Sequence, residues 1–436
     1  MNRTAFRVLV AAASFAVLAT SASAQELLAE PGREGKGHSG DNVHHPLGKK
    51  QFELRQQGLQ KLLKGQRQAK GPNKVVEVAH GQFVELARQG EDKIFTILGQ
   101  FGTQINPTYG GSAGPVRNQI PQPDRSVDNA TIWAPNFSPA YYQGLLFSQA
   151  PGAVSMRNFY IEQSSGRYTV NGDVTDWVQV PFNEANYGAN YCGGIICART
   201  WLFVRDAANA WYNAQIASGK TVAQINAYLS QFDVWDRYDS NGDGNFNQPD
   251  HYIDHFQIVH AGEGEETGGG AQGTDAIWSH RWYAFFNNIG LDGPPGARLG
   301  GVRIGLSDYW IGDYTVEPEN GGVGVFAHEF GHDLGLPDLY DTSGNTGGAE
   351  NSTGFWTLYS SGSYGSTGVP AEGIGSKPIS MSAYEKIFLD WSNYQVVDYK
   401  QSASVKLGPA SANTKQAQQL ILLLPDKNVV TDVGDP

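Results

Sequence analysis

The stretch from Val323 to Tyr340 reads VGVFAHEFGHDLGLPDLY, and its centre is His328-Glu329-x-x-His332. On a helix, residues four apart share one face, one turn apart. The spacing therefore brings two imidazoles to one point, as zinc requires. Glu329 projects beside that point, where a carboxylate can take a proton from water without being a metal donor. Val323, Val325, Phe326 and Leu334 give the predicted helix an apolar surface for burial. Gly324 and Gly331 cost helix propensity but let a neighbour approach closely. Gly335 predicts the helix end, because glycine readily takes the left-handed conformation. Pro337 stops the helix from resuming, and the sharp turn swings Asp338 back toward the histidines. A catalytic zinc takes three protein donors and keeps one position open. His328, His332 and Asp338 are the expected three, with Glu350, Glu372 and Glu385 as rivals for the third place.

HEFGHDLGLPDLYD, residues 328–341, resembles the active-site helix of the immune inhibitor A-type secreted metallopeptidases, a zincin family. The resemblance implies a zinc endopeptidase with metzincin-like ligation. It also implies an α+β fold: a zincin catalytic domain with a twisted mixed sheet, an active-site helix and a C-terminal subdomain helix. Farther on, GFWTLYSSGSY (354–364) is similar to the family's tight turn below the metal, where methionine usually stands in place of Tyr359. Tyr359 is expected to form the floor of the site, or else to turn its hydroxyl to the metal or to an oxyanion. SMSAYEKIFLDW (380–391) has Met381, Tyr384, Ile387, Phe388 and Trp391 on one helical face and matches the family's closing helix.

A chain of 436 residues has room for two or three domains. Its net charge of −12 argues against nucleic acid as a partner, because phosphate binding needs a basic face. Arg3 and Arg7, the apolar run Val8 to Leu18 and the small residues Ala22-Ser23-Ala24 read as a secretory signal peptide over 1–24. The run is too short for a permanent membrane anchor. Cys192 and Cys197 are an even pair in an exported chain, which predicts a disulfide.

Residues 25–91 read as a propeptide, with an amphipathic helix over Gln51 to Lys64. The stretch from Asn42 to Gly58 resembles the family's pro-region. It has no cysteine, so latency through a thiolate is excluded. His44, His45 or a carboxylate such as Asp41 remain as groups that would block the metal. The catalytic domain is expected over 92–394, opening with the buried strand DKIFTILG (92–99). Gly166 to Val180 alternates in a way that suggests a hairpin. Tyr141–Phe147 and Ser155–Ser164 look ordered, while Thr200–Gln215 and Thr221–Leu229 read as helices. Ile253 to Ala261 reads as a strand, and Asp308 to Val316 as a second one at the sheet edge.

A second chemical signal runs from Asp239 to Asp250. Asp239, Asn241, Asp243, Asn245 and Asp250 stand at positions 1, 3, 5, 7 and 12, with Gly244 at 6 and Phe246 at 8. That is the order of an EF-hand calcium loop, and it predicts structural calcium. Glu263, Glu265 and Glu266 crowd one glycine-rich loop, as a second metal site or a solvated surface. His260 and His280 are expected to be structural. Residues 395–436 open a β-rich region, with strands over 395–407 and 419–424, and relatives continue beyond this point, so the chain is expected to be a fragment. The expected function is a secreted, monomeric zinc endopeptidase acting on proteins or peptides, with Glu329 as general base. The alternative is a calcium-stabilised secreted binding or adhesion module without catalysis.

Overall fold

The computed structural model describes residues 40–342, 353–398, 401–410 and 420–424. The signal peptide expected over 1–24, the rival donor Glu350 and the tail beyond residue 424 lie outside them.

The first helix, α1 (Pro46–Leu63), starts with proline, whose missing N–H costs nothing in a first turn. His45 caps it: the Gly48 N–H donates to His45 Nδ1 at 3.3 Å. The strands β1 (Val75–Ala79) and β2 (Gln82–Glu85) form a hairpin beneath it. Val76, Val78, Val84 and Leu86 there make a small separate core with Leu54, Leu59 and Leu62 of α1. The main body follows: β3 (Gly90–Gln100), α2 (Pro139–Phe147), α3 (Met156–Gln163), β4 (Tyr168–Gln179) and a short α4 (Ala185–Gly188). Next come α5 (Thr200–Ala217), α6 (Val222–Leu229), β5 (Phe256–His260), β6 (His280–Tyr283), β7 (Val302–Arg303), β8 (Trp310–Ile311) and β9 (Asp313–Pro318). Among the described residues the last elements are α7 (Val323–Asp333), α8 (Ala383–Phe388), β10 (Tyr394–Asp398) and β11 (Leu420–Leu424).

Five strands form one mixed sheet in the order β4-β3-β5-β9-β6. β4, β3, β5 and β9 run parallel, and β6 is antiparallel to β9 at the edge. Side chains alternate across a strand, and β3 uses both faces. Phe95 and Ile97 join the core under α5, whereas Ile94 and Leu98 join the core shared by α2, α3 and α7. The metal-motif helix is thus packed on a rigid, two-sided sheet.

Several expectations are corrected. Residues 168–179 form one long strand parallel to β3, not a hairpin. The Asn171-Gly172 pair looks like a turn, but its glycine serves close backbone approach. A Cβ on Gly172 would lie 2.1 Å from the Ile94 carbonyl oxygen. The strand expected at the edge, near Asp308–Val316, is the interior β9, and the edge belongs to β6. β6 is four residues long and wholly buried, so it offers no alternation to read. α8 is a six-residue helix held by a Ser382–Glu385 capping box. Met381 precedes the cap, and Trp391 lies past Asp390, whose φ of +59° ends the helix. The strand expected over 395–407 stops at Asp398, and β10 pairs in parallel with β11. Among the described residues no helix is long and apolar enough to cross a membrane.

Candidate metal centre

The helix α7 is buried along almost its whole length. Its two interior glycines are demanded by contact. A Cβ on Gly324 would lie 1.9 Å from the Ser363 carbonyl oxygen, and one on Gly331 would lie 1.3 Å from the Tyr359 hydroxyl. The helix ends at Leu334 in a Schellman motif. The Leu336 N–H donates to Gly331 O at 3.0 Å and the Gly335 N–H to His332 O at 2.9 Å, with Gly335 at φ +95°. That reversal turns the chain back over the helix.

The turn also orients a histidine. His332 Nδ1 bonds Leu336 O at 2.7 Å, and His328 Nδ1 bonds Leu358 O at 2.9 Å. Both Nδ1 atoms are therefore the protonated ones, and both Nε2 lone pairs are free to act as donors. The two Nε2 atoms face each other 2.9 Å apart. Asp338 Oδ1 lies 3.1 Å from His332 Nε2 and 3.5 Å from His328 Nε2. Asp338 Oδ1 is buried and has no hydrogen-bond partner in the protein. Two nitrogen lone pairs and an orphaned carboxylate oxygen, all aimed at one point, fit a zinc ion.

A fourth group completes the cluster. Asp41 Oδ1 is 3.2 Å from His332 Nε2, and its Oδ2 is 3.4 Å from His328 Nε2. One donor atom from each of Asp41, His328, His332 and Asp338 lies within 4.8 Å of the others. Of the rivals for third donor, Glu385 is spent on the α8 cap with Ser382 and on Thr357. Glu372 sits on an exposed turn bonded to Thr367. Neither joins the cluster. Nor do the two histidines considered as blocking groups: His44 is exposed, and His45 is buried against Arg281 at 2.9 Å.

Glu329 is 2 % exposed, and its Oε2 has no partner in the protein. Burial first, then the nearby Asp41 carboxylate, raises its carboxyl well above the usual range against the pull of His328. Tyr359 lies fully buried under the histidines. Its ring stacks on His328, with centroids 5.2 Å apart, and meets His332 edge-on at 5.3 Å. Its hydroxyl is sunk against Gly331 beside Tyr160. The ring occupies the floor, and the expectation of a hydroxyl turned to the metal or an oxyanion does not match this placement.

Behind the helix lies a buried charge chain that sequence reasoning missed. Asp333 follows His332 directly and pairs with Arg237 at 2.8 Å and with His255 Nδ1. His255 Nε2 faces Asp92 at 3.3 Å, and Arg88 holds Asp92 in turn. Arg237 and Arg281 also share Asp313. Burial pushes the Asp333 carboxyl up, but Arg237 and His255 outweigh it and hold it below the ordinary range. The network ties α7 to β3, β6, β9 and the residue that enters β5. An ionisable residue in the HEFGHD run on a buried helix was the available signal.

The loop 239–250 has a different character. The Gly244 N–H donates to Asp239 Oδ1 at 2.9 Å, the Asp243 N–H to Asn241 Oδ1 at 3.0 Å, and the Asn245 N–H to Asp243 Oδ1 at 2.7 Å. These are turns closed on their own backbone. Among the described residues, the loop does not gather three Asp, Glu, His or Cys donors within 4.8 Å as the helix site does. Asp250 points inward, with its carboxyl raised well above the usual range by burial and then by Asp236, Asp233 and Asp254. Glu265 bonds Asn190 and Glu266 bonds Ser279, so the acidic glycine loop is split among protein partners. His260 pairs with Glu184 at 3.2 Å, and His280 Nε2 bonds the Tyr314 hydroxyl at 2.9 Å. Cys192 and Cys197 are joined in a disulfide.

A family model described as immune inhibitor A peptidase M6, catalytic domain, matches residues 80–394. The chain is 38 % identical over 323 residues to the immune inhibitor A of Bacillus thuringiensis subsp. alesti, covering 69 % of this chain and 44 % of that protein. It is 33 % identical over 382 residues to the pre-pro-metalloprotease PrtV of Vibrio cholerae serotype O1 (strain M66-2), covering 83 % of this chain and 36 % of that protein. The chain thus spans less than half the length of these relatives.

Proposed function

The chain belongs to the immune inhibitor A peptidase family, and on that premise we propose that it is a secreted zinc endopeptidase. The observation that carries this reading is the convergence of His328 Nε2, His332 Nε2 and Asp338 Oδ1 beside the buried Glu329. In this reading those three side chains hold one zinc ion. A zinc ion held there supplies Lewis-acid chemistry, acidifying water and polarising the scissile carbonyl. Glu329 takes the water's proton at Oε2 and returns it to the leaving amine nitrogen. The Leu336 and Leu358 carbonyls fix both imidazoles, and the Tyr359 ring supports them from below.

The substrates are proteins or peptides. Export rests on the signal peptide over 1–24, and residues 25–91 act as a propeptide before the catalytic domain at 92–394. The loop at 239–250 binds structural calcium through Asp239, Asn241, Asp243, Asn245 and Asp250. Supporting this is the crowding of Asp250 with Asp233, Asp236 and Asp254, whose repulsion a divalent cation relieves.

The test is casein cleavage by the secreted, propeptide-freed chain and by Glu329→Ala, with zinc counted in both. Glu329→Ala is expected to lower kcat by about 10²–10⁴-fold while keeping one zinc per chain. Equal activity in the two chains would sink the assignment of the base.

A further inference from the structure

A cavity of about 440 Å³ opens at the N-terminal end of α7. Val325 lines it, three residues before His328 and four before Glu329, and so on their face of the helix. Its walls are apolar: Ile132, Pro318, Val325, Ile374 and the ring of Tyr364. Burial, and then the Glu266, Asp41 and Glu329 carboxylates, push the Tyr364 hydroxyl up, so this wall feels both the cavity's acid and the metal site. Glu266 is the one charged side chain in the lining, which holds no lysine, arginine or histidine. It is fixed in place on the 3₁₀ turn Glu265–Thr267. The Ser279 hydroxyl donates to Glu266 Oε1 at 2.6 Å and the Ser279 N–H to Oε2 at 3.2 Å. Ser279 is buried and adjoins β6. A Cβ on Gly264 would collide with Glu266 Oε1, so that glycine makes room for the carboxylate. Burial holds the carboxyl above its ordinary range against the pull of Ser279 and His260, and His260 is itself paired with Glu184 at 3.2 Å. The helix end does not turn the cavity into an anion site. The Gly324 N–H is spent on Gly375 O at 2.8 Å, and the Val325 and Phe326 N–H groups on Gly322 O at 3.1 and 3.2 Å.

We propose that this cavity takes a lysine or arginine side chain of the substrate, and that Glu266 is the residue that selects it. The inference rests on the peptidase reading of the site. Lysine and arginine carry an apolar stem under a charged head, and the cavity offers apolar walls around one carboxylate. Ser279 uses one site on each Glu266 oxygen, and a carboxylate has about four, so room remains for the substrate's N–H donors. A cation that enters brings the countercharge a buried carboxylate lacks. A neutral side chain of the same length brings none and leaves Glu266 shut in without a partner. Apolar walls alone discriminate weakly, whereas a polar group left unpaired by the wrong side chain rejects it strongly. One helical turn, about 5 Å, separates Val325 from His328 and Glu329, and an extended peptide advances about 3.3 Å per residue. The selected residue therefore lies within two residues of the bond cut.

The experiment uses the secreted, propeptide-freed chain with zinc bound. Cuts in casein are mapped by mass spectrometry for the natural chain and for Glu266→Gln, which keeps the shape and removes the charge. In the natural chain, lysine or arginine is expected at one fixed position within two residues of the cut. The preference for a lysine peptide over its norleucine twin, read as a ratio of kcat/KM values, is expected to fall at least about tenfold in Glu266→Gln, the worth of a hydrogen bond to a charged group. Binding is read without catalysis through the fluorescence of p-aminobenzamidine, a flat cation. It is expected to bind Glu266→Gln at least about tenfold more weakly than the natural chain. Cuts without a basic preference in the natural chain overturn the proposal, whether or not Glu266→Gln folds. Equal preference in the two chains, or equal binding of p-aminobenzamidine, also overturns it, and the peptidase reading stands. Absence of any cut by a natural chain that holds one zinc overturns the peptidase reading, and the proposal with it.

Discussion

Residues 328–338 and residues 239–250 announce themselves in the same way, by oxygen or nitrogen side chains at set offsets, yet they fold to different ends. On α7 every donor is tied down by something other than an ion. The Nδ1 atoms are held by Leu336 and Leu358, the turn is closed by Gly331 and His332 carbonyls, and Tyr359 fills the floor. The donor atoms are what is left over, aimed at one point. In the loop, Asp239, Asn241 and Asp243 spend their oxygens on neighbouring backbone N–H groups. Donor spacing specifies a metal site when packing fixes the backbone and the donors have no other partner. Where the side chains can close their own turns, spacing alone leaves two outcomes.

The sharpest break in that contrast is Asp338→Ala. Asp338 Oδ1 is orphaned and buried within 3.1 Å of His332 Nε2. Removing a group that only orients a ligand costs about 10–100-fold in metal affinity, so removing the ligand should cost more than about 100-fold and abolish casein cleavage. Zinc counting after dialysis checks it. Retention of one zinc per chain would mean that Asp338 is not a donor.

Next in size is Asp333→Ala, which tests whether the helix site owes its order to the charge chain beneath it. The change strips buried Arg237 of its nearer carboxylate partner and leaves it only Asp313, at 3.5 Å. Breaking a buried pair from one side costs about 3–5 kcal/mol, readable as a lower urea midpoint of the metal-loaded chain. A loss under about 1 kcal/mol, the range of exposed pairs, would show the network to be incidental to the position of α7.

The sequence was informative where a local rule set the structure. The His-Glu-x-x-His face, the stop at Gly335 and the return of Asp338 follow from helix period and glycine chemistry alone. It was silent where partners lay far apart in the chain. Asp333 meets Arg237 and His255 across 96 and 78 residues, and no spacing encodes that. β6 was missed because a buried four-residue strand has no solvent face to alternate with. Alternation over 166–180 does not distinguish a hairpin from one long strand, and only the pairing with β3 shows β4 to be the latter. Asp41 stood among three blocking groups, and tertiary contact alone separates it from His44 and His45.

The smallest effect expected is also the one that would bring the two regions closest together. Asp250 is a half-buried carboxyl raised well above its ordinary range by desolvation, and then by Asp236, Asp233 and Asp254. Without calcium, its contribution to stability is fully present below the unfolded value, about 3.9 for an aspartate, and is lost as pH rises through the raised folded value. At neutral pH the loop is therefore under strain that Asp250→Asn should relieve. Calcium reverses the sign. A cation bound only by the folded chain stabilises it by RT ln(1 + [L]/Kd), about 1.4 kcal/mol at ten times Kd, and Asp250→Asn then removes a donor. Melting the zinc-loaded chain at neutral pH, with and without added calcium, should give a higher midpoint for Asp250→Asn in calcium's absence and for the natural chain in its presence. A midpoint that ignores 10 mM calcium in both chains would leave 239–250 as a set of turns and nothing more.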